Sequence, residues 1–221
     1  LILDIEHLQQ WVQRLEAAQL IAIDTETTSI DYIKAKLVGF SFAVVSGGAA
    51  YLPVAHDYSG APEQVSLEQA VAALTPVLAN SESAQVGQNL KDAMSVLARY
   101  GVIINGPLHD TMLQSYVLNS VASRHNMDAL ADFYLNRKTI RFEDIAGKGA
   151  KQLTFNQVPL EIASDYAAED ADVTLSLHRC LYPQLQAQPS LLQVYNDIDM
   201  PLVGILSLVE RQGTLVDGRM L

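Results

Sequence analysis

Six residues near the start of the chain, Ile21-Ala22-Ile23-Asp24-Thr25-Glu26, limit its fold more than any other stretch. An apolar run that stops on Asp-x-Glu reads as a buried strand delivering two carboxylates to one edge of a sheet. Side chains alternate along a strand, so residues 24 and 26 share a face. Neighbouring anions repel unless a cation lies between them, and a divalent metal held by oxygen ligands meets that need. A strand end with a solvated Asp and Glu would read the same way. The metal reading gains its weight from Asp170, far along the chain.

A chain of 221 residues, 49% hydrophobic with only 8 Pro and 12 Gly, can bury such a strand in one large packed domain, with or without an appendage. It begins with Leu1 rather than Met and stops soon after an apparent strand, which reads as a piece of a longer polypeptide. The single cysteine, Cys180, excludes an intrachain disulfide and fits a reducing cytoplasm. The most apolar region, Leu37 to Ala55, is interrupted by Ser46-Gly47-Gly48, so no membrane span is expected. The net charge is −11, from 25 acidic and 14 basic side chains. A protein that grips nucleic acid unaided shows a basic face. Either the partner is not nucleic acid, or the grip comes from metal ions and a tethered basic neighbour.

Taken in order, Asp4 to Ala18 carries a helical stripe of Ile5, Leu8, Trp11, Val12 and Leu15. Leu20 to Asp24 is the first core strand. Lys36 to Val45 and Ala49 to Val54 form a hairpin around Ser46-Gly47-Gly48. Ser66-Leu67-Glu68-Gln69 is a capping box that opens a helix to about Ala79, bent at Pro76. Gln85 to Gly87 is a short strand and Asn89 to Tyr100 a helix closed by Gly101. A further strand begins at Val102 to Ile104. Asp110 caps a helix to Asn119, and Asp128 to Leu135 is a short helix. Arg137 to Gln157 lacks periodicity, and its Gly147-Lys148-Gly149 reads as a surface turn, not a phosphate loop. Leu160 to Leu185 is a long helix, Gln186 to Ser190 a linker, Leu191 to Gln212 another helix, and Thr214 to Val216 the start of a strand paired elsewhere. This order predicts an α/β fold with a mixed sheet flanked by helices.

In the long helix, Tyr166 and Asp170 are four apart and share a face with Ile162, Ala163 and Val173 nearby, so the pair points inward. Glu161, Asp165, Glu169 and Asp172 read as solvent-facing charge. An inward carboxylate needs a partner, and Asp24 with Glu26 around a divalent metal supplies one.

Asp-x-Glu on the first strand, followed by a helical Tyr-x-x-x-Asp, resembles the DEDD superfamily of 3′→5′ exonucleases in its Tyr branch. The His branch places its histidine five residues before the last Asp, and that position here is Asp165. Gly87-Gln88-Asn89-Leu90-Lys91, Asp110-Thr111-Met112-Leu113, Leu118-Asn119-Ser120, Leu153-Thr154-Phe155-Asn156-Gln157 and Tyr166-Ala167-Ala168-Glu169-Asp170-Ala171-Asp172 are similar to the proofreading domain of bacterial DNA polymerase I. Met200-Pro201-Leu202-Val203 through Glu210-Arg211-Gln212-Gly213 is similar to the start of that family's polymerase domain. The resemblance implies an exonuclease domain over 1–187, the beginning of a polymerase domain over 188–221, and a ribonuclease H-like sheet.

It also implies two-metal hydrolysis at the 3′ end of single-stranded DNA, with Mg²⁺ (or Mn²⁺ or Zn²⁺) held by Asp24, Glu26 and Asp170. Tyr166 matches the residue that positions the attacking water. Ile30 and Phe142 match apolar contacts to the terminal bases, and Gln88, Asn89 and Arg124 polar contacts to the terminal nucleotides. A cytoplasmic monomer whose DNA affinity comes largely from its tethered polymerase domain accounts for the acidic charge.

One position departs. Where the family reads Asn-x-x-Tyr-Asp, with the Asp serving the second metal, this chain reads Asn89-Leu90-Lys91-Asp92-Ala93. The second metal site is therefore expected to be compromised and activity impaired. A catalytically silent module bracing a polymerase and a ribonuclease D-like RNA exonuclease stand as alternatives.

Overall fold

The computed structural model describes residues 1–121 and 124–215. Strand β1 (Leu20–Thr27) runs past Asp24, so both early carboxylates are strand residues. Its alternation sorts the side chains by face. Ile21 and Ile23 enter one hydrophobic core with Leu8, Phe40 and Leu74. Ala22 enters another with Ala43, Val86, Ala171 and Leu175. Strands β2 (Leu37–Val45) and β3 (Gly48–Pro53) form the expected hairpin. With β4 (Ala84–Gly87) and β5 (Leu108–Asp110) they make a five-stranded sheet of order β3-β2-β1-β4-β5. The β1–β4 and β4–β5 pairs are parallel, and β1–β2 and β2–β3 antiparallel. The sheet is mixed, as the order of elements predicts.

The strand expected at Val102–Ile104 is not there. Both residues are buried, but the ladder forms after Asn105-Gly106-Pro107, with Gly106 at φ 92°. Apolar character marked burial rather than pairing. Pro107, lacking an N–H, stands just ahead of β5 and still accepts the Gln85 amide at 2.9 Å.

Helices α1 (Ile5–Glu16) and α2 (Leu67–Leu78), with α3 (Leu90–Ala98), cover the Ile21/Ile23 face. Asp4 caps α1, and the Ser66–Gln69 capping box opens α2. Helix α4 (Thr111–Leu118) starts on its Asp110 cap, and α5 (Met127–Leu135) follows. The aperiodic stretch holds a short α6 (Phe142–Ala146), and Gly147 and Gly149 both turn at positive φ. Helix α7 (Leu160–Gln186) crosses the opposite face over β1, β2 and β3. Its Ala163, Ala167 and Ala171 are fully buried, and their small side chains let the helix approach the sheet closely.

The linker contracts to Ala187 and Gln188. Helix α8 (Pro189–Val194), a π turn over Tyr195–Asp199 and α9 (Met200–Gln212) form one continuous rod instead of a single regular helix. Pro201 has no N–H to return to the carbonyl of Asp197, and the helix widens there. Thr214 and Leu215 form no strand, and the rest of the strand expected from Thr214 lies outside the described residues. Among the described residues, no helix is long and apolar enough to cross a membrane.

Candidate active site

β1 continues past its last pairing with β4, at Ala22, and so presents Asp24 and Glu26 at the carboxyl edge of the parallel strands. Asp170 descends from α7 onto the same spot. One oxygen from each of the three carboxylates lies within 4.8 Å of the others. Asp170 is 8% exposed, and Glu26 Oε1 is buried without a hydrogen-bond partner. Gly39 sits opposite Glu26 in the ladder, and a Cβ there would collide with the Tyr51 ring that packs beside it. Asp24 Oδ1 accepts the Thr25 amide at 2.8 Å.

Three anions held this close resist ionisation. Burial raises Asp24 to about 6. Burial, then Asp24 and Asp170, push Glu26 well above the usual carboxylate range. Asp170 is raised by burial and by Asp24, against a lowering by the Tyr166 hydroxyl. An all-oxygen donor set with one unpartnered oxygen fits a hard divalent cation, which would hold all three carboxylates ionised.

Tyr166, one turn before Asp170, lines a cleft of about 470 Å³ with Glu26, Ile30, Phe142 and Phe155. Phe142 stacks on Phe155 at 6.3 Å, and Tyr166 tilts against Phe155 at 5.9 Å. Ile30 is fully exposed and also borders a second cleft, of about 210 Å³, with Asp24, Gln88, Asn89, Asp92 and Ala93. Arg124 lies further off, in a third cleft that meets the first at Phe142 and Gln152. Phe155, the centre of the Leu153-Thr154-Phe155-Asn156-Gln157 motif, is the ring that supports both Phe142 and Tyr166.

The two amides expected to meet a ligand are engaged within the protein. Gln88 Nε2 donates to the His125 carbonyl at 2.8 Å, and its Oε1 accepts from the Thr111 hydroxyl. Asn89 takes a left-handed conformation, φ 57°, and donates from Nδ2 to Asp92 Oδ2 at 2.6 Å. Ala93 is 8% exposed. Among the described residues, no fourth Asp or Glu joins the trio.

Two readings of α7 need correction. Asp172 and Glu169 are not solvated: Arg137 pairs with Asp172 at 2.6 Å and with Glu169 at 3.0 Å. Asp172 also accepts the Gly47 amide of the hairpin turn at 2.7 Å. No local spacing links Arg137 to these acids, so the sequence held no signal for the pairing. Ile162, expected on the inward face, is 46% exposed, because the buried stripe runs through Ala163, Ala167 and Asp170 instead.

A family model described as 3′-5′ exonuclease matches residues 1–186. DNA polymerase I of Pseudomonas aeruginosa is 54% identical over the full chain, which spans 24% of that protein's length. Among solved structures, the POL domain of Pol1 from M. smegmatis in complex with DNA primer-template and dNTP matches 98% of this chain and 32% of its own at TM-score 0.75 and 19% identity. Brucella melitensis NrnC with bound Mg²⁺ matches 91% of this chain and 90% of its own at TM-score 0.64 and 16% identity. At those identities the two structures show the fold.

Proposed function

Because the chain belongs to the 3′-5′ exonuclease family that includes the corresponding segment of bacterial DNA polymerase I, we propose that it hydrolyses the 3′-terminal phosphodiester of single-stranded DNA. The observation that carries the reading is the buried trio of Asp24, Glu26 and Asp170 with the unpartnered Glu26 Oε1. These residues would hold a divalent ion, Mg²⁺ or else Mn²⁺ or Zn²⁺, which when bound supplies positive charge to the phosphodiester oxygens.

Every other contribution comes from the chain itself. The Tyr166 hydroxyl orients the attacking water. Phe142, braced by Phe155, and the exposed Ile30 take the terminal bases by stacking and apolar contact, which read no base edge. Gln88 and Asn89 contact the terminal nucleotides on exchanging their internal partners, and Arg124 meets phosphate further along the strand. Ala93 offers no oxygen where the family motif has Asp, so a second ion lacks a ligand and hydrolysis is slow. That same alanine favours a second reading, a silent module that braces a polymerase.

Residues 1–187 form the exonuclease unit in this proposal, and 188–221 begin the polymerase domain of the same polypeptide, a cytoplasmic monomer. The exposed Ile205, Leu208 and Val209 of α9 support further chain packing there. The test is digestion of a 3′-labelled single-stranded DNA oligonucleotide in Mg²⁺ or Mn²⁺. Slow release of nucleoside monophosphates from the 3′ end, abolished by Asp24→Ala, is expected. Degradation of a 3′-blocked strand, or faster digestion of RNA than of DNA, would contradict it.

A further inference from the structure

At the opposite end of β1 from the carboxylates lies a cleft of about 640 Å³ that the exonuclease reading leaves unused. Leu20, at the start of β1, lines it. Asp24 lies four residues on, about 13 Å along a strand. Trp11, Val44 and Val45 add apolar wall, and the only charged lining residues are Arg14 and Arg179. Such a volume suits a ligand or an anchoring side chain.

The charge of this cleft runs against that of the chain. Acidic side chains outnumber basic ones 25 to 14, and Lys91, Arg137 and Lys148 sit in close ion pairs. Arg14 instead lies over the Trp11 ring, 5.1 Å from its centroid. Arg179 donates from Nη2 to the Val44 carbonyl at 3.3 Å. Among the described residues neither guanidinium pairs with a carboxylate. A guanidinium has five N–H donors, so both keep donors for an incoming carboxylate. Trp and Arg beside exposed aliphatic surface are the residue types that dominate binding energy at protein interfaces.

We propose that this cleft docks an acidic peptide segment, its carboxylates on Arg14 and Arg179 and an apolar side chain against Trp11 and Val45. Charge complementarity selects that occupant. A nucleic-acid strand would carry its phosphates past the two arginines along a chain whose net charge is −11. A short peptide concentrates its anions and its apolar anchor at one place.

Trp11 is the only tryptophan, so its emission reports on this cleft alone. The probe is the peptide Asp-Asp-Leu-Phe with a free C-terminus, titrated into the full chain in EDTA. A saturable change in Trp11 emission is expected, weakening as salt is added. Arg14→Gln with Arg179→Gln should reduce affinity at least tenfold while the far-ultraviolet circular dichroism stays unchanged. Asp24→Ala should bind as the parent does, since the cleft does not depend on the metal site. Equal binding by Lys-Lys-Leu-Phe, equal binding to the double variant, or no saturation up to millimolar peptide would overturn the proposal. Tighter saturable binding of inorganic phosphate or dAMP would overturn it in favour of a nucleotide site.

Discussion

The Tyr195 hydroxyl accepts the backbone N–H of Asp110 at 3.0 Å and the Gln114 side-chain amide at 3.2 Å. This ties the rod after α7 to the start of α4. Tyr195 is fully buried, although it lies beyond residue 186, where the matched family region ends. Tyr195→Phe should cost about 1–3 kcal/mol, the penalty for a buried donor left unpaired. Tyr195→Ala should cost about 3–5 kcal/mol, with a cavity added. Urea denaturation checks both. An unchanged midpoint for Tyr195→Phe would show that the hydroxyl bears no stabilising role.

Asp110 joins two helices. Its carboxylate accepts Leu90 N at 2.7 Å and Asn89 N at 3.2 Å from the start of α3. It also accepts Met112 N at 2.9 Å in α4. Burial raises its carboxyl to about 6, against these N–H groups, which favour the ionised form. Asp110→Ala removes an N-cap, about 1 kcal/mol, and strands two further amides, the buried one of Leu90 and the partly buried one of Asn89, at about 1–3 kcal/mol each. We expect a total loss of at least about 3 kcal/mol, with Asp110→Asn losing less. Thermal unfolding measures the difference, and a variant within the error of the parent would refute the account.

The His109 and His178 rings lie 4.6 Å apart. Burial holds His109 down to about 4, and burial with the neighbouring His109 holds His178 down to about 3, from an ordinary 6.5. Below pH 6.5 the unfolded chain takes protons that the folded pair refuses, so these groups make stability fall as pH falls towards 4. Two such groups give a slope of up to about 2.7 kcal/mol per pH unit. Asp24 and Asp110, both raised to about 6, act in the opposite direction below that pH. The comparison is therefore with His178→Gln, whose midpoint should fall less between pH 6.5 and 4.5. Parallel profiles for parent and variant would exclude the histidine term.

What the sequence disclosed follows from the range of each interaction. Alternation along β1 is local, so Ile21 and Ile23 separate from Ala22, Asp24 and Glu26 by counting alone. The caps Ser66 and Asp110 were legible for the same reason. Asp172 was misread because its partner, Arg137, belongs to the aperiodic stretch, and only folding brings the two together. Val102 and Ile104 misled because apolar character reports burial and says nothing of ladder pairing. The Arg14–Arg179 cleft joins α1 to a late turn of α7, which no pattern on either helix announces.

The carboxylate trio should cost stability when no metal is bound. Asp24→Asn removes one of three closely held carboxylates whose burial and mutual repulsion oppose ionisation, and the one that ionises first. In EDTA near pH 7 the variant should unfold at a higher temperature than the parent. Added Mg²⁺ should narrow or reverse the gap, since ion binding stabilises the parent by mass action. A variant destabilised in EDTA would show that Asp24 is already neutralised by another means.

In the proposed reading, Ala93 limits how fast the site can work. One residue along a helix turns a side chain by about 100° and advances it by about 1.5 Å. Asp92 borders the same small cleft as Asp24, but its carboxylate is held by Asn89 at 2.6 Å and does not join the trio. The methyl of Ala93 provides no ligand. Charge stabilisation by a second ion is worth on the order of several kcal/mol, or a few powers of ten in rate. The chain should therefore fold, bind a 3′ end and cleave it slowly. The paired change Asp92→Tyr with Ala93→Asp frees the Asn89 amide from Asp92 and places a carboxylate one position on. It should raise single-turnover hydrolysis of a short oligonucleotide in Mg²⁺ at least about 100-fold, roughly 2.7 kcal/mol. Rapid cleavage by the unmodified chain would mean that Asp92, or a water held by it, already serves the second ion.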